Sequence, residues 1–213
     1  MKAINLQIEV TKFLNTCLSG RRGEAIFTQY QPPPTLFSSN DTKINLCCLI
    51  LLSGKSIQEG FGFVIRIIQC FNLKATLVYS QIASELAKKY NFKEIHNLLK
   101  CINESGYKEE ENSSYDECIS TCIRVFAANS TSSDTAANQQ YNKEIDELIK
   151  LIKNDENRIN AYVLNGRLRS AYLIAIKIER VDIVTHIANV AERIGQHLIK
   201  EICNKWLEKK GNS

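Results

Sequence analysis

The sequence predicts an all-α fold, an α-solenoid of stacked antiparallel helix pairs built from degenerate two-helix repeats. In every long segment apolar residues recur at spacings of three and four, which places them on one face of a helix. The chain has only 3 prolines and 9 glycines among 213 residues, too few for the turn-dense sequence of a small all-β fold. A helix, a tight polar turn and a second helix recur with a period of about thirty residues, within the range of two-helix solenoid units.

The C-terminal segment from Ile159 to Leu207 carries the clearest pattern of short helices. Gly166 and Gly195 stand where a helix should end, and glycine readily adopts the left-handed conformation of that position. Small side chains at the facing positions would let neighbouring helices approach closely; they are Ser170, Ala171, Ala175, Ala188 and Ala191. We therefore expect a helical stack here that the rest of the chain extends.

The N-terminal segment predicts two helices separated by a proline-rich connector. An amphipathic helix is expected from Ile4 to Leu18. Residues 25–42 contain Pro32-Pro33-Pro34, and because proline lacks a backbone donor and fixes φ, this stretch should be extended. Consecutive prolines can be ligands for an aromatic groove, but a stiff spacer is the commoner arrangement. The next segment, Ile44 to Leu52, is almost entirely apolar, which predicts a helix buried on most sides.

A second helical segment follows at once. Ser56-Ile57-Gln58-Glu59 has the Ser-x-x-Glu form of a capping box and predicts a helix start. Gly60 and Gly62 lie inside this helix, where each glycine costs about 1 kcal/mol relative to alanine. We therefore expect both to have a packing reason, namely the close approach of another helix.

A helical hairpin is predicted from Leu73–Tyr90 and Phe92–Ile102, ended by Gly106. Its interior should contain the apolar residues that share one face of each helix: Ile82, Leu86, Ile95, Leu98, Leu99 and Ile102.

The middle of the chain is predicted to be less regular. Lys108 to Ser114 should form an acidic loop, and Ser114-Tyr115-Asp116-Glu117 has the form of a second capping box. Residues 128–141 have few bulky apolar side chains to offset the entropy of ordering, which predicts a flexible polar loop. The expected organisation is a helical segment at 1–127, this loop, and a second helical segment at 142–213 that continues the same solenoid.

Charge and cysteine usage favour a cytoplasmic protein. The net charge of +4 is modest, and acidic residues interleave with basic ones, whereas a nucleic-acid surface would be more one-sided. Most of the 8 cysteines lie in apolar helical stripes, as free thiols in a reducing compartment do. The first ten residues lack the apolar core of a secretory signal. The longest apolar run, Leu46 to Leu52, is far below the ~20 residues of a membrane span, so no membrane insertion is expected.

No pattern in the sequence predicts catalysis, a cofactor or a metal site. Cys118 and Cys122 are one helical turn apart, which is not the C-x-x-C spacing of a zinc knuckle. Gly54-Lys55-Ser56 lacks the upstream glycine of a phosphate-binding loop. We therefore predict no enzyme.

A set of basic residues could line one edge of the C-terminal stack and receive an acidic partner or a lipid headgroup. The set consists of Arg158, Arg167, Arg169, Lys177 and Arg180. Glu156, Glu179 and Asp182 lie among them, so a plain solvated face is the alternative. This set is the predicted partner-binding surface.

Four segments carry a resemblance to a known family. They are GKSIQEGFGFVIRIIQCFNL (Gly54 to Leu73), EIHNLLKCINESG (Glu94 to Gly106), LRSAYLIAIK (Leu168 to Lys177) and EICNKWL (Glu201 to Leu207). In this order they resemble the C-terminal region of the spastizin family of zinc finger FYVE domain-containing proteins, also called the FYVE-CENT family. The resemblance extends from about Ile8 to Leu207 and is weakest at 128–140.

The resemblance implies a non-enzymatic protein-interaction scaffold of endosomes, lysosomes, the centrosome and the midbody. Its implied roles are membrane trafficking, autophagic lysosome reformation, abscission in cytokinesis and double-strand break repair. The implied partners are spatacsin and the fifth heterotetrameric adaptor complex. In this family zinc and phosphatidylinositol 3-phosphate bind to a FYVE finger, and this chain has no C-x-x-C series, so neither ligand is assigned to it. The chain is expected to correspond to part of a larger protein. The alternative function is a helical-repeat module for nucleic-acid binding or DNA repair.

Overall fold

The computed structural model describes residues 2–18, 34–105, 111–129 and 135–211. These residues form eleven α-helices and no strand, which confirms the all-α prediction. The helices are α1 (Lys2–Leu18), α2 (Asn40–Ser53), α3 (Ile57–Phe71), α4 (Ala75–Lys88), α5 (Phe92–Glu104), α6 (Glu111–Asn129), α7 (Thr135–Lys150), α8 (Asp155–Leu164), α9 (Leu168–Lys177), α10 (Val181–Arg193) and α11 (His197–Gly211).

The chain divides into two compact units, Met1–Cys122 and Ile123–Ser213. The division falls inside α6, so that helix contributes residues to both units. The predicted segments 1–127 and 142–213, joined as one continuous solenoid, stay a prediction.

In the first unit, α1, α2 and α3 each contact the second helix after them, and every neighbouring pair from α1 to α5 except α3 and α4 makes extensive contact. Thus α2 contacts α3 and α4, and α3 and α4 both contact α5, while α1 lies against α2 and α3. This pattern is typical of stacked helical repeats, in which each helix is covered by the layer before it and the layer after it. The six residues predicted for the hairpin interior are all buried.

In the second unit, the helices mainly contact their neighbours in sequence. Along the chain, α7 contacts α8, α8 contacts α9, α9 contacts α10, and α10 contacts α11, while α9 also reaches α11. The interface residues are small: Ala161, Ala171, Ala175, Ala188 and Ala191 are all buried. The predicted stack of short helices is confirmed, and its α-solenoid class follows from this layered packing.

Five helix ends share one backbone turn. In each, a residue with positive φ follows the helix, and the next backbone N–H donates to a carbonyl four residues before the positive-φ residue, as in a Schellman motif. The positive-φ residues are Asn72, Tyr90, Gly166, Glu179 and Gly195, and the donating N–H groups belong to Leu73, Asn91, Arg167, Arg180 and Gln196. The bonds are 2.8–3.2 Å long. The two glycines were predicted at such positions.

The start of α2 and the capping of α3 differ from the sequence predictions. The connector predicted at 25–42 ends by residue 39, because α2 begins at Asn40, where the Ser39 side chain accepts from the Thr42 N–H at 3.2 Å; residues 25–33 lie outside the described residues. The helix start predicted at Ser56 is confirmed, because Ser56 is the N-cap of α3, but its side chain makes no cap bond. The free Ile57 N–H is instead capped by a Glu94 carboxylate oxygen at 3.0 Å, a tertiary contact that a local motif does not encode.

The second predicted capping box is wrong, because Ser114 lies inside α6 rather than before it. The Ser114 hydroxyl instead lies 2.9 Å from the Thr76 hydroxyl of α4, and its side chain is buried. Of the predicted acidic loop, the residues from Glu111 onward belong to α6, and residues 106–110 lie outside the described part of the chain.

The two helical glycines of α3 have different surroundings. A Cβ on Gly60 would stand 2.8 Å from Ile50 Cγ2 and 3.0 Å from the Ile50 carbonyl oxygen, so the predicted close approach is confirmed there. A Cβ on Gly62 would meet nothing within 4 Å, so the prediction for that residue is wrong.

The loop predicted at 128–141 is helical where the structure describes it. The end of α6 includes Asn129, and α7 starts at Thr135; residues 130–134 lie outside the described ranges. Polar composition misled the prediction, because Thr, Ala, Asn and Gln are tolerated in a helix whose apolar anchors follow later, as Ile145 and Leu148 do here.

Candidate interaction surface

The five predicted basic residues lie on α8, α9 and the turns beside them. Arg158 is in α8, Arg169 and Lys177 are in α9, and Arg167 and Arg180 are the N-cap residues of α9 and α10. Neither N-cap arginine makes a side-chain cap bond to its helix. Their guanidinium groups are therefore available for contacts with other helices.

Three of the five are neutralised inside the chain. Arg158 pairs with Asp155 and donates to the Ile152 carbonyl at 3.2 Å. Arg167 pairs with Asp146 of α7 at 3.2 Å. The charges of both arginines are thus compensated by a carboxylate of the same helix or of the preceding one, and such partly exposed pairs contribute little to stability.

Arg180 is the centre of a small ion-pair network. It donates to Asp182 at 2.7 and 2.8 Å and pairs with Glu156 at the start of α8. The hydrogen bond from Arg180 lowers the pKa of Asp182 to about 2, and the same carboxylate raises the pKa of Arg180. The network links the turn before α10 to α8, two helices earlier.

The other two basic residues face solvent. Arg169 and Lys177 are exposed, and neither makes an ion pair or hydrogen bond with any other described residue. Leu173 lies between them at four-residue spacing and is 54% exposed. We call Arg169, Leu173 and Lys177 the α9 stripe; it is about 12 Å long at 1.5 Å per residue.

The α9 stripe lies opposite the buried side of its helix. Leu168, Ala171 and Ala175 are almost fully buried and anchor α9 in the stack. At 100° per residue, the stripe points away from that buried side. A rigid helix thus presents one exposed apolar side chain between two cations, an arrangement that can contact an acidic amphipathic partner. The two cations were predicted from the sequence, but Leu173 was missed although it lies four residues from each of them.

A polar groove adjoins Arg167 at the edge of α7, with a volume of about 440 Å³. Its charges are mixed: Lys150 pairs with Glu147 at 2.7 Å, and Arg167 pairs with Asp146. The groove is lined by Asn142, Lys143, Asp146, Glu147, Lys150 and Arg167. Because most of these charges are already neutralised in pairs, the groove offers less to a partner than the α9 stripe does.

Six of the eight cysteines are buried core residues, and Cys17 is half-buried. Burial raises the pKa of Cys47, Cys48 and Cys122 to about 12, and Cys122 donates a weak bond to the Ala83 carbonyl at 3.6 Å. Cys70 is exposed, contrary to the prediction that it lies in an apolar stripe. Within the described residues, no three His, Cys, Asp or Glu side chains are grouped to hold a metal ion. Nor is any helix in those residues long and apolar enough to cross a membrane.

Stacked helix pairs closed by repeated turns, with rigid helix faces exposed, define a helical-repeat protein. The chain belongs to the family described as "ZFYVE26-like, TPR repeats", whose sequence model matches residues 74–208. It is similar to zinc finger FYVE domain-containing protein 26 of Homo sapiens, with 35% identity over 210 residues, and to the proteins of that name from Rattus norvegicus and Bos taurus, each with 34% identity. The resemblance to the spastizin family is thereby confirmed.

The matches cover 97% of this chain but 8% of each of these relatives. The chain therefore spans less than a tenth of the length of the proteins it matches. No solved structure matches it significantly.

Proposed function

We propose that this helical-repeat segment is a protein-interaction scaffold and that the α9 stripe is one of its contact surfaces. The observation that carries the proposal is the exposed Leu173 between Arg169 and Lys177, two cations with no ion-pair partner among the described residues. The stripe lies on a helix whose opposite side is fixed by three buried residues. A surface held on a rigid element loses little entropy on binding, which favours recognition.

The chemistry of the stripe favours a partner helix with an acidic and apolar face. An amphipathic helix that carries carboxylates four residues before and after an apolar residue would match the stripe in antiparallel or parallel orientation. Electrostatic attraction would speed the encounter, and burial of the leucine would slow dissociation. By family membership, the proposed partners are spatacsin and the fifth heterotetrameric adaptor complex.

The proposed cellular role is that of the spastizin-like proteins: membrane trafficking at endosomes and lysosomes, autophagic lysosome reformation and cytokinesis. The zinc finger named in the relatives is not assigned to any residue of this chain. Lipid binding is accordingly left to other parts of the larger relatives. The nucleic-acid alternative gains no support from the charges, because three of the five clustered basic residues are neutralised by carboxylates.

Affinity capture tests the proposal. Purified chain is immobilised and exposed to spatacsin and to the adaptor complex, each produced separately. The variant R169E/K177E should lose at least about tenfold in affinity, because two attractive charge contacts become repulsive. The matched control is K89E/K93E, which makes the same charge change at exposed positions of the first unit.

The outcomes are separable because both variants should keep the wild-type circular dichroism spectrum. Equal capture by wild type and R169E/K177E would move the contact surface away from α9. Failure of the wild type to capture either protein would reject the partner assignment.

A further inference from the structure

The last helix carries a second exposed apolar surface, different from the α9 stripe. Of the fifteen residues of α11, only Cys203 is buried. Leu198 is 75% exposed and Ile202 is 42% exposed, and Ile194, in the turn just before α11, is 51% exposed. Within α11, Leu198, Ile202 and the half-buried Trp206 follow one another at intervals of four and therefore lie along one side of the helix. We call Leu198, Ile202 and Trp206, together with Ile194 from the preceding turn, the α11 stripe; its helical part is about 12 Å long at 1.5 Å per residue.

Charges flank this stripe in a particular order. Glu201 and Lys205 lie side by side along one edge of α11, and both are exposed. Neither makes an ion pair within the described part of the chain, although their spacing of four would allow one. An acidic group thus lies just before the centre of the stripe and a basic group just after it.

We propose that the α11 stripe is a self-association surface, covered by the same stripe of a second copy of this chain in a two-fold, antiparallel arrangement. If the two-fold axis passes through Ile202, Leu198 of one copy faces Trp206 of the other. The same edges of the two helices then meet, and Glu201 of each copy lies within about one turn of Lys205 of the other. The surface is therefore complementary to itself in charge.

This charge complementarity favours a second copy of the chain as the partner that binds the α11 stripe. A purely acidic partner would leave Glu201 facing like charge, and a purely basic one would do the same to Lys205. A second copy satisfies both residues at once, because an isologous contact repeats every pair twice. A single pair of fifteen-residue helices lies at the low end of interface sizes, so the dimer is expected to be weak and reversible.

Sedimentation equilibrium of the whole chain over a wide concentration range is the first test. The wild type should approach the mass of a dimer as its concentration rises. Ile202→Asp should weaken dimerisation at least about tenfold, because it places a charge at the centre of the contact. Its control is Leu77→Asp, which changes a leucine of α4 that is 55% exposed and should leave the dimer unchanged.

Charge exchange tests the antiparallel geometry. Glu201→Lys and Lys205→Glu should each weaken self-association, because each places like charges opposite one another. Mixed together, the two variants should form a heterodimer at least about tenfold tighter than either homodimer, since every contact is then between opposite charges.

A wild type that stays monomeric at every concentration would overturn the proposal. Masses that rise beyond the dimer would overturn the closed two-fold arrangement. A mixture of the two charge variants that associates no better than either alone would overturn the contact between Glu201 and Lys205. None of these results depends on spatacsin or the adaptor complex, so the α9 proposal stands or falls separately.

Discussion

The helices α2 and α11 differ strongly in how many of their residues are buried. Of the fourteen residues of α2, seven are buried, including Leu46, Ile50 and Leu51. α11 is one residue longer and buries only Cys203. In the first unit, α2 is thus covered by protein on most sides. In the second unit, α11 contacts the protein along one narrow side, and most of its surface is exposed to solvent.

Because of this difference, we expect the first unit to contribute most to the stability of the fold and the second unit to provide exposed surfaces for binding. Buried large side chains contribute about 1.5–3 kcal/mol each relative to exposure, so the region around α2 is where the fold is most sensitive to volume. The second unit has small residues at its helix contacts, and it exposes Leu173 of the α9 stripe and the apolar side chains of the α11 stripe. The predictions below follow from this contrast. The first one tests whether the second unit, which buries fewer large side chains, is nevertheless strongly destabilised by a substitution in its core.

Ala175→Glu should have the largest effect, although it lies in the second unit. Ala175 is fully buried in α9, and glutamate would force an unpaired charge into a closely packed contact, at a cost of about 3–5 kcal/mol. The matched control is Lys177→Glu, two residues away and exposed, which should change stability by at most about 0.5 kcal/mol. Urea denaturation measures both, and equal midpoints would show that α9 is not stacked as described.

The buried side of α9 was predictable from sequence because it depends only on spacing. Leu168, Ala171 and Ala175 recur at three and four, and a helix of any context places them together. The same holds for the six hairpin residues of α4 and α5. Local geometry of this kind needs no knowledge of the neighbouring helices.

Contacts between distant residues were not predictable in the same way. Arg180 and Glu156 are 24 residues apart, and Glu94 caps a helix that begins 37 residues earlier. A side chain's partner is decided by which helix packs beside it, and that order is a property of the whole stack. This is why the five basic residues were found as a set but not sorted into paired and free ones. It is also why Ser56 marks the start of α3 as predicted while the capping bond comes from Glu94.

The two glycines of α3 should respond to alanine with opposite signs. Gly60→Ala should destabilise the first unit by about 1–3 kcal/mol, because the new Cβ would overlap Ile50 across the contact between α2 and α3. Gly62→Ala meets no neighbour within 4 Å and should stabilise by about 0.5–1 kcal/mol, the gain in helix propensity. Thermal unfolding of both variants decides the matter. A loss of stability for Gly62→Ala would mean that α3 is contacted at this position.

The shared turn can be compared directly between the two units. Among the five positive-φ positions of this turn, Tyr90 lies in the first unit and Gly166 in the second. Tyr90→Gly should stabilise by about 0.5–1 kcal/mol, because the left-handed conformation strains a residue with a Cβ. Gly166→Ala should destabilise by about 1 kcal/mol for the same reason, since no steric contact awaits its Cβ. Denaturant midpoints that shift in the same direction for both would show that strain at this turn does not govern its stability.

The smallest expected effect concerns the ion pair between Arg180 and Asp182 at the start of α10. The carboxyl group of Asp182 has its pKa lowered from 3.8 to about 2, first by the hydrogen bond from Arg180. A depressed pKa means that the folded state binds the proton less well than the unfolded state, so the contribution to stability is present above about pH 4 and disappears as the pH falls toward 2. Because the pair is fully exposed, this contribution is small and should weaken further with added salt. Asp182→Asn should therefore unfold at a slightly lower urea concentration than wild type at pH 6, with the two midpoints converging near pH 2. A carboxyl carbon titration by NMR gives the pKa itself, and a value close to 3.8 would show that Arg180 is not held against Asp182 in solution.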